Sequence, residues 1–140
     1  TVNTAHNVNA DGENYIAYCF HSVEGFSRIG TYTPNNSTAG LFNYTGFRPQ
    51  FLLSTGASFA ASWAITDNKR EPGNPFGEEV LFPNLTNAET NYSGGGLDFV
   101  SNGFNIRSSG TNGTHNGNGT TGTFIYMAFA EAPFKYGNAG

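Results

Sequence analysis

Apolar residues in this chain gather in short runs broken by clusters of Gly, Pro and Asn, at residues 15–20, 27–33, 41–45, 49–53, 59–66, 79–82, 97–100, 104–107 and 123–130. Runs of roughly four to eight residues between turn-forming clusters have the length of strands rather than helices. About nine of them in this rhythm predict an all-β fold, a sandwich, jelly roll or barrel. The first and last runs, Tyr15-Ile16-Ala17-Tyr18-Cys19-Phe20 and Phe124-Ile125-Tyr126-Met127-Ala128-Phe129, are apolar at odd and even positions alike. That pattern predicts central strands covered on both faces, with Cys19 a small buried hydrophobe.

In the run 59–66, Phe59, Ala61, Trp63 and Ile65 share one parity, which predicts that Trp63 lies in the core. Asn102-Gly103 stands between two alternating segments and predicts a two-residue hairpin turn within 97–107. Residues 108–122, SSGTNGTHNGNGTTG, carry no apolar side chain and predict an exposed loop dispensable for folding. Residues 1–14 are polar and read as an N-terminal arm or linker, with one domain over 15–140. Because the first residue is Thr, the chain is expected to be a piece of a longer precursor.

Composition sharpens this picture. With 13 Phe and 7 Tyr, the core must be largely aromatic, and Phe20, Phe47, Phe99, Phe104 and Phe129 are expected to share it. A net charge of −4 and scattered basic residues offer no field for a phosphate backbone, so nucleic acid is not an expected partner. No run approaches the roughly 18 apolar residues of a membrane helix, and no membrane insertion is expected. The single cysteine excludes an intrachain disulfide and a multi-thiolate metal site.

The candidate chemistry is sparse. Residues 117–122 spell G-x-G-x-x-G, but a polar loop precedes them and a strand-like run follows, so a glycine-rich loop is the better reading and no cofactor is expected. His6, His21 and His115 lack a second ligand at metal spacing. Asp67, Asp98 and Glu131 could supply the carboxylate pair of a glycosidase, yet none sits in a recognisable signature. Asp67, Asn68, Lys69 and Arg70 concentrate charge behind the strand holding Trp63 and form the first candidate binding rim. His115, Asn116 and Asn118 in the polar loop form the second.

The string Asn14-Tyr15-Ile16-Ala17-Tyr18-Cys19-Phe20-His21-Ser22-Val23-Glu24-Gly25-Phe26-Ser27-Arg28-Ile29-Gly30 resembles a C-terminal domain of bacteriophage virion structural proteins, of tail-fibre or minor structural type in marine and environmental phages. Tyr44-Thr45-Gly46-Phe47-Arg48-Pro49, Asp98-Phe99-Val100-Ser101-Asn102-Gly103-Phe104, and Tyr126-Met127-Ala128-Phe129-Ala130-Glu131 with Pro133-Phe134 extend the resemblance. Trp63 to Arg70 matches that family's Trp-containing strand followed by Asp-Asn-Lys-Arg. The resemblance implies an antiparallel β-sandwich of concanavalin-like or SPRY-like type, and a non-enzymatic module on the virion surface, in a tail fibre, head fibre or capsid decoration. Its implied partners are other virion subunits and further copies of itself. A lectin-like domain for host-surface glycans is the alternative, and a polysaccharide depolymerase the weaker one.

Overall fold

The computed structural model describes residues 10–37, 39–70, 79–91, 96–107, 115 and 122–132. Nine strands run through them: β1 (Ser27–Tyr32), β2 (Leu41–Tyr44), β3 (Pro49–Gly56), β4 (Ala64–Asp67), β5 (Glu79–Val80), β6 (Thr90–Asn91), β7 (Leu97–Val100), β8 (Gly103–Ile106) and β9 (Phe124–Ala130). They form a four-stranded antiparallel sheet ordered β1-β9-β3-β4, a three-stranded one ordered β2-β8-β7, and a short β5-β6 ribbon. The all-β sandwich expected from the strand rhythm is what the chain adopts.

Alternation sorts the side chains. Along β9, Phe124, Tyr126 and Ala128 are buried, and their partners Tyr32 on β1 and Leu52 and Ser54 on β3 point inward with them. From the smaller sheet Leu97, Phe99, Phe104 and Ile106 close the core, with Phe47 at its margin. The packing is aromatic, as composition requires: Tyr32 stacks on Phe124 at 5.1 Å, and Phe104 meets Tyr126 edge-on at 5.1 Å. A satellite cluster of Ala64, Val80 and Phe82 sits beyond β4.

Several expectations are corrected. Residues 15–20 form no strand, and Tyr15, Ile16, Tyr18 and Phe20 are exposed, as is Cys19. At Ser22 the hydroxyl accepts the Ile29 amide and donates to the Ile29 carbonyl, taking the two groups that this residue of β1 would offer an adjoining strand. Phe129 belongs to the opposite parity from Tyr126, and is half-buried on the outer face against Phe26 and Phe51 rather than in the core. Trp63 is 38% exposed. Its parity faces outward because Ala64 and Thr66, paired with Ser54 and Leu52, are the β4 residues turned into the interior.

The hairpin over β7 and β8 is present, but its two turn residues are Ser101 and Asn102, since Val100 pairs with Gly103. Neither turn residue is left-handed. Gly103 is required for a different reason: a Cβ there would run into the Asn43 carbonyl and the Phe42 ring of β2.

Candidate functional site

Asp67 closes β4 and organises the turn behind it. Its Oδ1 accepts the amides of Lys69 and Arg70, both at 2.9 Å, and its Oδ2 accepts Arg70 Nε at 2.6 Å. The rest of the guanidinium donates to Glu89 at 2.7 Å and to the Ile65 carbonyl at 3.1 Å. Burial opposes the charge on Asp67, but the hydrogen bonds from Arg70 and Lys69 and the charge of Arg70 outweigh it and hold the carboxyl below its ordinary value. Asn68 donates its amide to the Gln50 carbonyl and its Nδ2 to Glu131, which also takes Arg48. Among these four residues only Lys69 is exposed. The predicted rim therefore spends most of its polar capacity inside the fold, locking β4 to β3 and to the segment before β6.

His115 is also turned inward. Residues 108–122 were expected to contribute nothing to the core, yet the His115 side chain is fully buried. Its Nδ1 lies 3.2 Å from Ser54 Oγ and its Nε2 3.1 Å from Thr66 Oγ1, while its carbonyl accepts the Tyr32 hydroxyl at 2.9 Å. An imidazole can be buried when each ring nitrogen finds a hydroxyl, and inward-facing Ser54 and Thr66 supply them. Burial pushes its pKa down to about 4 and raises that of Tyr32. Asn116 and Asn118 lie outside the described residues.

The three carboxylates considered for glycoside hydrolysis are each tied to a different arginine: Asp67 to Arg70, Asp98 to Arg107 and Glu131 to Arg48. Among the described residues no group of three or more His, Cys, Asp or Glu could hold a metal ion.

A different surface is open. On β2, Leu41 and Asn43 face inward with their β8 partners Ile106 and Phe104, so Phe42 and Tyr44 face out, 49% and 63% exposed. Residues two apart on a strand stand about 7 Å from one another on one face. Their partners across the ladder are Asn105 and Gly103, and beyond those come Asp98 and Val100 of β7. Gly103 leaves room for the Phe42 ring, which lies against it. At the far side Arg107 donates to Asp98 at 2.8 Å, with its own side chain half exposed. The Asp98 hydrogen bond keeps the guanidinium pKa above its ordinary value. The face thus combines two aromatic side chains, one amide and one guanidinium, with the buried Asp98 carboxylate beneath holding the guanidinium in place. The alternation of Leu41-Phe42-Asn43-Tyr44 contains the signal for it, but the parity that faces solvent is set only by pairing with β8.

A family model described as a domain of unknown function (DUF7483) matches residues 1–133. The chain belongs to that family. No curated protein and no solved structure matches it. The DUF7483 match takes in the whole outer face of the smaller sheet, and also the Asp67–Arg70 turn and His115.

Proposed function

We propose that this domain is a non-enzymatic attachment module of a phage particle surface, and that it holds host-surface glycan on the outer face of the smaller sheet. The observation that carries the glycan reading is the outward pair Phe42 and Tyr44 beside Asn105 and the half-exposed Arg107. A sugar ring has an apolar C–H face and a rim of hydroxyls. Exposed rings can stack on the first, and an amide and the half-exposed Arg107 guanidinium, held by buried Asp98, can bond the second. Supporting a binding role over a hydrolytic one, Asp67, Asp98 and Glu131 each neutralise an arginine. The particle setting is supported by the resemblance of residues 14–30, 44–49 and 98–104 to virion structural proteins.

A glycan array probed with the 140-residue chain tests the reading. Retention of one saccharide class is expected, with a loss of about tenfold or more, equal to about 1.4 kcal/mol, on Tyr44→Ser. Binding left unchanged by the combined Phe42→Ser and Tyr44→Ser changes would refute it, as would release of cleaved saccharide from host polysaccharide. Mass spectrometry of purified particles checks the setting.

A further inference from the structure

An edge strand is closed only when something takes the N–H and C=O groups that point away from its neighbour. Three of the four edges of the two larger sheets are closed in this way. At β1, Val23 exchanges backbone hydrogen bonds with Ser27, and the Ser22 hydroxyl takes the Ile29 amide and carbonyl. At β4, Ile65 and Leu81 exchange theirs at 2.9 and 3.2 Å. At β7, the Arg107 amide donates to the Gly96 carbonyl, so alternation along the ladder turns the backbone groups of Leu97 and Phe99 away from β8. Those two residues are 0% and 1% exposed, and this edge lies inside the molecule.

The fourth edge is β2. Thr45 donates its amide to the Asn102 carbonyl at 3.0 Å, so by the same alternation Leu41 and Asn43 bond Ile106 and Phe104 of β8. The backbone groups of Phe42 and Tyr44 therefore point away from β8, on residues 49% and 63% exposed. Among the described residues no strand lies beside them. Leu41-Phe42-Asn43-Tyr44 also carries no charge, no proline and no bulge, the devices that keep a strand edge from pairing.

We propose that the β2 edge is a docking site for an extended segment of another protein, which adds to the three-stranded sheet as a fourth strand. The edge offers two N–H and two C=O groups at a repeat of about 7 Å, and an extended backbone matches that direction and spacing. Opposite Phe42 and Tyr44 the added strand places aromatic or β-branched side chains, the cross-strand partners that such rings favour. It lies in the plane of the sheet and leaves the outward faces of the two rings open. The proposal therefore stands whether or not those rings hold saccharide.

Selection from a displayed library of short peptides on the 140-residue chain tests it. Enriched peptides should carry aromatic or β-branched residues at every second position, and methylating their backbone nitrogens singly should abolish binding at alternate residues only. In the free chain the Phe42 and Tyr44 amides should exchange with deuterium about a hundredfold faster than the Asn43 amide, and should slow when peptide binds. Phe42→Pro removes one edge donor where a fold tolerates proline, and should weaken peptide binding about tenfold while the chain still melts cooperatively. Phe42→Ala keeps that donor and should bind more tightly than Phe42→Pro. A library that yields no such peptide would overturn the proposal. So would Phe42 and Tyr44 amides already protected in the free chain, whether by another part of it or by a second copy. Loss of the fold in Phe42→Pro would overturn it too, since the amide would then be spent within the sheet.

Discussion

His115 shows how a single polar residue is made compatible with an aromatic interior. It is kept neutral, with a pKa of about 4 against an ordinary 6.5, because burial penalises the imidazolium. The unfolded chain therefore binds the extra proton between those two values. Stability from neutral His115 is complete above about 6.5 and is lost as the pH falls toward about 4. The melting temperature is expected to drop across that window, and His115→Gln to flatten the slope; an unchanged slope in the variant would place the pH response elsewhere. Asp67 acts in the opposite range: its depressed carboxyl contributes above its ordinary value of 3.8, and the contribution disappears only in stronger acid. In the core proper, Phe104 is fully buried, so Phe104→Ala should cost about 3–5 kcal/mol in urea unfolding. Phe20→Ala should cost less than about 1 kcal/mol, since that residue is 56% exposed.

At the scale of elements, the smaller sheet depends on the close approach of β2 to β8. Gly103→Ala would push a methyl into the Asn43 carbonyl and the Phe42 ring. It should destabilise the domain by about 1–3 kcal/mol and weaken saccharide retention together. Arg70 provides the contrast. It ties the β4 turn to Ile65 and Glu89 on the other sheet's side of the molecule, partly buried. Arg70→Ala should lower stability by about 1–2 kcal/mol and leave saccharide retention unchanged. If Arg70→Ala abolished retention in a folded chain, the binding face would have to be sought beside β4.

For the whole molecule, the aromatic core and the glycan face lie on opposite sides of the smaller sheet. Tyr32, Phe104 and Tyr126 join the two sheets from within, while Tyr44 faces out. Tyr44→Ser should therefore lose saccharide retention while shifting stability by less than about 1 kcal/mol in urea unfolding. A cooperative loss of the fold in that variant would mean that Tyr44 supports the sheet rather than a ligand.

The run lengths, the turn clusters and the abundance of Phe and Tyr sufficed to establish an all-β fold of about nine strands with an aromatic core, because strand length and turn chemistry are local properties. Phe47, Phe99 and Phe104 were legible as core for that reason. Which parity of a strand faces inward is not local. It put Phe129 and Trp63 on the outside, and Ala64 and Thr66 within, because pairing with β3 decides it. Pairing with β8 likewise turned Phe42 and Tyr44 to solvent. The Ser22 hydroxyl took the Ile29 amide and carbonyl at the edge of β1, and Ser54 and Thr66 drew His115 into the interior from a segment with no apolar residue. A side-chain hydrogen bond between residues as far apart as Thr66 and His115 leaves no trace in periodicity, and only the folded chain brings its two ends together.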